Sequence, residues 1–352
     1  MLHDFDPFLI HFYDNIGIRW YGLSYLMGFI CAYFLIVWLT SRQRAGLEPK
    51  QVMDFITYAA FGTLIGGRLG YCIFYDQELF MKFTSTFPYW GVLQVHKGGM
   101  ASHGGMIGIV VACLMFGRKY GVYSLYLFDL CAVSGPIGVF FGRIANFING
   151  ELMGRPAPEG FPLAVRFPQD VLSWPSQEVD RLSTLVPVVE PLGVTKESWL
   201  EWINGYKFGN GSGKLFETLD RIVLEVQNGN GAVKEALKPL LTPRHPSQLY
   251  AAFGEGLLVF MVLIFLWRKP RKPGFIGASF IMVYALVRIS DEMFRLPDAH
   301  IGYQLWGLTR GQWLSIVMFF FGLILMLLWG RTERLRIPGW QKEAVIKINR
   351  RK

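Results

Sequence analysis

The sequence predicts an all-α polytopic membrane protein, and three observations carry that expectation. Of its 352 residues, 52% are hydrophobic and only 17% are charged, whereas soluble domains carry about 25% charged residues. Mean hydropathy is +0.31. Apolar runs of the length that spans a bilayer, about 20 residues each, recur along the chain.

Seven runs qualify: Trp20–Leu39, Val52–Tyr75, Gly99–Phe116, Val122–Ile148, Ser247–Trp267, Phe275–Phe294 and Gly311–Gly330. Seven transmembrane helices place the two termini on opposite sides. Lys and Arg in short connections set the orientation, because they favour the cytoplasm. Arg42, Arg44 and Lys50 follow the first run, Arg118 and Lys119 the third, Arg268, Lys269, Arg271 and Lys272 the fifth, and a basic tail the seventh. The other side has only Arg19, Lys82, Lys97, Arg295 and Arg310 in short connections. The N-terminus is therefore expected outside (periplasmic) and the C-terminus in the cytoplasm. Met1–Arg19 carries Asp4, Asp6 and Asp14 without a Lys/Arg cluster, and no small-residue cleavage site follows the first run. That run reads as a retained span and not as a removable signal peptide.

The chain divides into residues 1–149 with four spans, an insert at 150–246, residues 247–330 with three spans, and a basic tail at 331–352. Within the insert, helical patterns run over Lys196–Ile203, stopped by Asn204-Gly205, and over Lys214–Gln227, stopped by Asn228-Gly229-Asn230-Gly231. In the second, Leu215, Leu219, Ile222, Val223 and Val226 fall on one face. The insert is expected to be a periplasmic cap between helices 4 and 5, folded or lying on the membrane surface. It serves either packing or substrate docking.

The net charge of +9 does not point to nucleic acid, because the basic residues sit beside apolar runs, as topology signals do. Cys31, Cys72, Cys113 and Cys131 all lie in apolar segments, without Cys or His at metal-ligand spacing. They read as small core residues, and neither a metal nor a cofactor is expected.

Ionisable residues inside spans are costly, by about 2.5–3.5 kcal/mol on insertion scales, and so mark candidate functional positions. Each of the three outward-running helices carries an arginine: Arg68, Arg143 and Arg288. At about 1.5 Å of rise per residue, Arg68 and Arg143 lie in the outer half of the bilayer and Arg288 nearer its middle. Three guanidinium groups suit a shared anionic ligand, a phosphate being the obvious one, since they grip its oxygens bidentately and stay charged. The alternative is structural pairing with Asp291, Glu292 or Glu255. Glu292 is four residues beyond Arg288, within reach on one helix face, and Arg295 continues that face. His103 stands among Gly98, Gly99, Gly104 and Gly105 at the outer start of the third span. It is either a satisfied hydrogen-bonding group or, beside arginines, a neutral imidazole able to accept a proton. Arg244–Tyr250 opens the fifth span with Pro246 near the first turn and Ser247 as a cap, and serves helix start or site. Asp54 and Asp129, near the cytoplasmic ends, read as structural.

Gly142-Arg143 through Asn146-Phe147-Ile148-Asn149-Gly150-Glu151 and Gly154 resembles the signature of bacterial prolipoprotein diacylglyceryl transferases. The similarity extends to Arg19-Trp20-Tyr21-Gly22 with Tyr25, to His103-Gly104-Gly105, to Arg244–Tyr250, and to Tyr284, Arg288, Glu292 and Arg295 before Pro297-Asp298. The chain departs from the family pattern in a longer insert and in Ala251 after Tyr250. The resemblance implies transfer of the diacylglyceryl group of phosphatidylglycerol to the lipobox cysteine thiol of a preprolipoprotein signal peptide, in the bacterial inner membrane. The products are a thioether and glycerol phosphate. It implies that His103, Arg143 and Arg288 are catalytic, and that Tyr25, Asn146, Glu151, Gly154, Tyr284 and Glu292 are important to the site. Arg68 and Arg295 join the expected phosphatidylglycerol-binding set from their position. The rival readings are a transporter of an anionic lipid or metabolite, with the arginines as its binding site, and another headgroup transferase. A transporter should show paired discontinuous helices, and only a weak Gly-Arg echo at 67–68 and 142–143 is present.

Overall fold

The computed structural model of the protein describes residues 1–13, 16–43, 47–85, 87–95, 98–209, 213–296, 302–331 and Arg336. Pro297, Asp298, Lys97, Arg44 and the rest of the basic tail lie outside the described residues.

The chain is mostly helical, and every one of the seven apolar runs forms a helix. They are α1 (Trp20–Gln43), α2 (Pro49–Phe74), α3 (Ser102–Tyr120), α4 (Ser124–Ile148), α8 (Ser247–Trp267), α9 (Phe275–Asp291) and α10 (Arg310–Arg331), with the three longest helices of the insert numbered α5–α7 between α4 and α8. Among the described residues, four stretches are long and apolar enough to cross a membrane: Trp20–Arg42, Ser124–Ile148, Ser247–Trp267 and Arg310–Arg331. Along α10, Leu314, Val317, Phe320, Ile324 and Leu328 are each more than half exposed. An exposed apolar face of this kind is stable in hydrocarbon and costly in water. The middle of α8 is a π-helix, Ala252–Leu258, which turns buried Glu255 into the fold. A two-stranded antiparallel hairpin, β1 (Phe8–Tyr13) with β2 (Ile16–Arg19), precedes α1; the helical reading had not anticipated it.

The structure divides into two compact units. The first comprises Met1–Tyr25, Phe140–Gly254 and Val287–Leu314; the second Leu26–Val139, Glu255–Leu286 and Ser315–Lys352.

In the second unit, α2 and α3 touch backbone to backbone. A Cβ at Gly62 would lie 2.5 Å from the Gly108 carbonyl oxygen, and one at Gly70 would lie 2.8 Å from Gly104 Cα. Small residues at four-residue spacing allow this approach, the usual solution between helices in lipid. Asp54 accepts the Tyr120 hydroxyl at 2.8 Å, and Asp129 accepts the Gly274 and Gly277 amides at 2.7 Å each, holding the start of α9. Both aspartates are structural, as expected. Cys72 and Cys113 are buried, and the Cys113 and Cys131 sulfurs are 3.8 Å apart.

In the first unit the insert builds its own apolar core. Trp174, Leu182, Leu185, Trp199, Leu219 and Ile222 are each at most 1% exposed. The longest insert helices are α5 (Lys196–Lys207), α6 (Gly213–Gln227) and α7 (Gly231–Leu237), preceded by single turns at Trp174–Gln177 and Val186–Val189. All five residues expected on one face of α6 are buried. Helix α5 begins at its Thr195 cap but continues through Asn204-Gly205, because Trp199 and Ile203 are buried against the core and tertiary packing outweighs a local stop signal. The N-terminus is tied in: the Met1 amino group donates to the Ala164 carbonyl at 3.0 Å, and the His3 amide to that of Arg166 at 2.9 Å.

The buried His3 ring lies among Phe5, Phe147 and Phe167, with its Nε2 2.6 Å from the Phe147 carbonyl. A carbonyl only accepts, so Nε2 carries the proton of the neutral ring, while Nδ1 is buried without a hydrogen-bond partner among the described residues. Burial disfavours the charged form and lowers the His3 pKa, against the smaller opposing pull of that carbonyl and of Asp4. The folded protein then binds fewer protons than the unfolded chain. The stability contribution is full above the unfolded value of about 6.5 and is lost as pH falls through the folded value. Thermal unfolding in detergent should therefore show a His3→Gln variant losing less stability than the parent between about pH 8 and about pH 5. Parallel losses in the two proteins would refute this role.

Candidate active site

The stretch from Gly142 to Arg155 leaves α4 through a tight turn. Gly150 and Leu152 both adopt positive φ, +68° and +55°, and the Glu151 amide bonds back to the Asn146 carbonyl at 3.0 Å. A left-handed leucine is uncommon. It is held because the Leu152 carbonyl accepts the Ser247 hydroxyl at 2.9 Å. Ser247 is thus spent on the signature stretch and does not cap α8, whose cap position is Pro246.

Beyond the turn, residues 154–156 lie between two other segments as a short backbone splice. The Arg155 amide donates to the Phe294 carbonyl at 2.8 Å, and the His245 amide to the Arg155 carbonyl at 3.0 Å. Gly154 bridges to Arg295 and Pro156 to Arg244. Any Cβ on Gly154 would clash with the His245 carbonyl oxygen and come 2.9 Å from that of Phe294. The Arg155 side chain adds a bond from Nε to the Arg295 carbonyl at 2.9 Å. Buried Arg244 meets Asp170 at 2.8 Å and the Gly154 carbonyl at 3.2 Å, fastening the splice to the insert.

This splice gathers Arg143, Arg288 and Arg295 around one crevice, completed by Leu152, Ser247, Gln248, Ala251 and Asp291. The crevice is only about 10 Å³, room for about one water. Arg288 pairs with Glu292 at 2.9 Å, with both side chains largely buried, as the four-residue spacing predicts. Glu292 is itself held: its Oε1 accepts the Thr309 hydroxyl at 3.0 Å, and Thr309 is the buried cap of α10. A Cβ on Gly311 would come 2.7 Å from Glu292 Oε1, so the glycine makes room for the carboxylate at this helix start, where the N-terminal dipole favours negative charge.

On the other flank of the stretch, Asn146 Nδ2 donates to the Tyr21 hydroxyl, which donates to Glu151 Oε2 at 2.8 Å. The Gln248 amide donates to the Glu151 carbonyl. Tyr21 is therefore the tyrosine joined to the signature. Tyr25, one helical turn further along α1, has its side chain 65% exposed.

The remaining expected site residues belong to the second unit. Arg68 is buried and donates to four carbonyls, of Gly91, Val92, Gly98 and Gly99, at 2.7–2.9 Å. Its guanidinium organises the loop between α2 and α3. The Gly99 site explains one flanking glycine: at φ +81°, a Cβ there would lie 2.6 Å from Arg68 Nη1. His103 is exposed on the first turn of α3. Tyr284 donates to Glu255 at 3.2 Å.

Sequence reasoning missed Tyr21, Thr309 and Gly311. For Thr309 a signal existed in Thr309-Arg310-Gly311-Gln312, a capping-box pattern in which the Thr309 amide is accepted by Gln312 Oε1 at 3.0 Å. Tyr21 lay within a quoted motif, and only its contacts separate it from Tyr25. Among the described residues, no group of three or more His, Cys, Asp or Glu could hold a metal.

A family model described as prolipoprotein diacylglyceryl transferase matches residues 7–328. A phosphatidylglycerol–prolipoprotein diacylglyceryl transferase of Bdellovibrio bacteriovorus is 65% identical over 352 residues, covering 100% of both chains. Proteins of the same name from Rhodospirillum rubrum and Burkholderia ambifaria are 33% and 34% identical, and cover 95% and 94% of this chain and 96% of their own. The chain belongs to the prolipoprotein diacylglyceryl transferase family.

Proposed function

We propose that the protein transfers the diacylglyceryl group of phosphatidylglycerol to the lipobox cysteine thiol of preprolipoproteins, the first step of lipoprotein maturation. The relatives are named for this donor and this acceptor class, which favours a transferase over a transporter. The observation that carries the site assignment is the convergence of Arg143, Arg288 and Arg295 on one crevice. Sulfur forms a bond to the glycerol carbon as that carbon's bond to the phosphate oxygen breaks. The electron pair leaves with glycerol phosphate, and the thiol proton passes to a base. Three guanidinium groups stabilise the negative charge gathering on the leaving phosphate. Glu292 fixes the Arg288 plane, and the Asn146–Tyr21–Glu151 chain fixes the opposite flank. A free thiol with pKa about 8.5 is mostly protonated at neutral pH, and His103 takes its proton, a role supported by the family resemblance and by its exposed imidazole. Arg68 acts by shaping its loop and not by touching phosphate; Tyr284 acts through its bond to Glu255, and Tyr25 presents an exposed side chain one turn beyond Tyr21.

All seven apolar helices are placed across the bacterial inner membrane, N-terminus periplasmic and C-terminus cytoplasmic, supported by the bias of Lys and Arg. The insert at 150–246 is the periplasmic cap, flanked by the four-span and three-span segments, and its independent core favours a folded head over a surface-lying helix.

The test incubates purified protein with phosphatidylglycerol and a lipobox peptide and weighs the peptide. Arg143→Ala should abolish the diacylglyceryl mass gain while membrane insertion persists, and Arg143→Lys should restore only part of it, since lysine lacks the bidentate fork. Full transfer by Arg143→Ala would refute the phosphate grip. Thr309→Val leaves Glu292 short of a donor, a loss of about 1–3 kcal/mol, and should slow turnover at least about fivefold. Thr309→Ser should be near normal, and equal turnover in both variants would show that Thr309 does not act through Glu292.

A further inference from the structure

The second unit contains a basic cavity that the transfer reaction does not use. The turn from Pro270 to Phe275 and the end of α10 from Met326 to Gly330, together with Arg336, enclose about 250 Å³. Three of its lining residues are cations, Arg271, Lys272 and Arg336, and no carboxylate lines it among the described residues. Its apolar wall includes Phe275, Met326 and Trp329.

The wall is held in place by contacts unrelated to any ligand. Lys272 Nζ donates to the Gly330 carbonyl at 2.7 Å, tying the turn to the last carbonyls of α10. Gly274 has φ +92°, and a Cβ there would come 2.6 Å from the Trp329 ring, so the indole packs against the bare backbone. Asp129 holds the amides of Gly274 and Gly277. The Arg271 guanidinium stands 4.7 Å over the Phe275 ring, and its Nε is buried without a hydrogen-bond acceptor among the described residues. A buried donor lacking a partner is costly, and that cost falls when an anion with several acceptor oxygens enters.

Lys and Arg that only set topology extend into water. Here the charges line a cavity with an aromatic wall, half-buried in the case of Arg271 and Lys272. The cavity lies where two apolar stretches, Ser247–Trp267 and Arg310–Arg331, reach their ends, which is the water–hydrocarbon boundary where Trp, Lys and Arg concentrate. Its volume is below the roughly 300–1,000 Å³ of a pocket that swallows a whole small ligand. It fits a headgroup whose acyl chains remain in the bilayer. We propose that the cavity formed by Arg271, Lys272, Phe275, Trp329 and Arg336 binds the phosphate of an anionic phospholipid headgroup. The site shares no residue with the arginine crevice, and it stands whether or not the crevice assignment holds. Basic pockets between membrane helices recognise such headgroups through guanidinium forks and ammonium groups.

The test uses phosphatidic acid, which carries the headgroup phosphate, and native mass spectrometry of the full-length protein in neutral detergent. One phosphatidic acid should bind at least about tenfold more weakly to Arg271→Gln/Arg336→Gln, a loss of about 1.4 kcal/mol or more. In an Arg143→Ala background the same two substitutions should weaken binding by the same factor, and the double variant should keep its transferase activity. Phosphatidylcholine should not distinguish the double variant from the parent, and inorganic phosphate at equal concentration should not displace the lipid. Equal binding of phosphatidic acid by parent and double variant would overturn the site. Displacement by inorganic phosphate would overturn the lipid as its ligand and assign a soluble anion instead. Should the double variant fail to fold, the unaltered protein still decides. Phosphatidic acid should protect Arg271 from phenylglyoxal, read by peptide mass, and unprotected Arg271 would overturn the proposal.

Discussion

Two backbone carbonyls, of His245 and Phe294, press against the position a Cβ would take on Gly154. The signature stretch can lie between the start of α8 and the end of α9 only because that side chain is missing. Amide-to-carbonyl bonds on both sides of Arg155 then lock the three segments in register. Side-chain chemistry follows from this splice. Arg143 arrives from one segment, Ser247 and Gln248 from the second, and Arg288 and Arg295 from the third, and they meet around one crevice. Backbone hydrogen bonds suit the task, since in a poorly hydrated setting every amide must find a partner.

The electrostatics of the crevice follow from the same economy. Several guanidinium groups without counter-charge are expensive in a low-dielectric place. The carboxylates of Asp291 and Glu292 stand on the same segment as Arg288 and Arg295. Glu292 does not swing freely, because Thr309 and the space left by Gly311 hold it at the start of α10. The result is that Arg288 is held in one orientation through Glu292 and Thr309 at the start of α10.

Much of this was legible in the sequence because hydrophobic length and charge placement are local signals. The seven apolar helices, the buried face of α6 and the Arg288–Glu292 pair all follow from spacing along one helix. The rest depends on contacts between distant segments. Nothing in the spacing of Tyr21 and Tyr25 tells which hydroxyl meets Asn146 and Glu151, since they sit one turn apart on the same helix. Arg68 has the look of a ligand-binding arginine until four carbonyls are found around its guanidinium. Helix α5 runs through Asn204-Gly205 because Trp199 and Ile203 are needed in a core assembled from the whole insert. The β1–β2 hairpin and the π-helix in α8 likewise escape a reading based on helical period alone.

The claim that the backbone splice at Gly154 sets the arginines around the phosphate is tested most directly by the initial rate of peptide lipidation in a Gly154→Ala variant. The added methyl group forces the His245 and Phe294 carbonyls apart while leaving every charged and polar side chain of the crevice in the sequence. The account predicts a loss of at least about a hundredfold, equivalent to about 2.7 kcal/mol in the barrier, with helical content and membrane insertion preserved. Turnover within about twofold of the parent protein would contradict it.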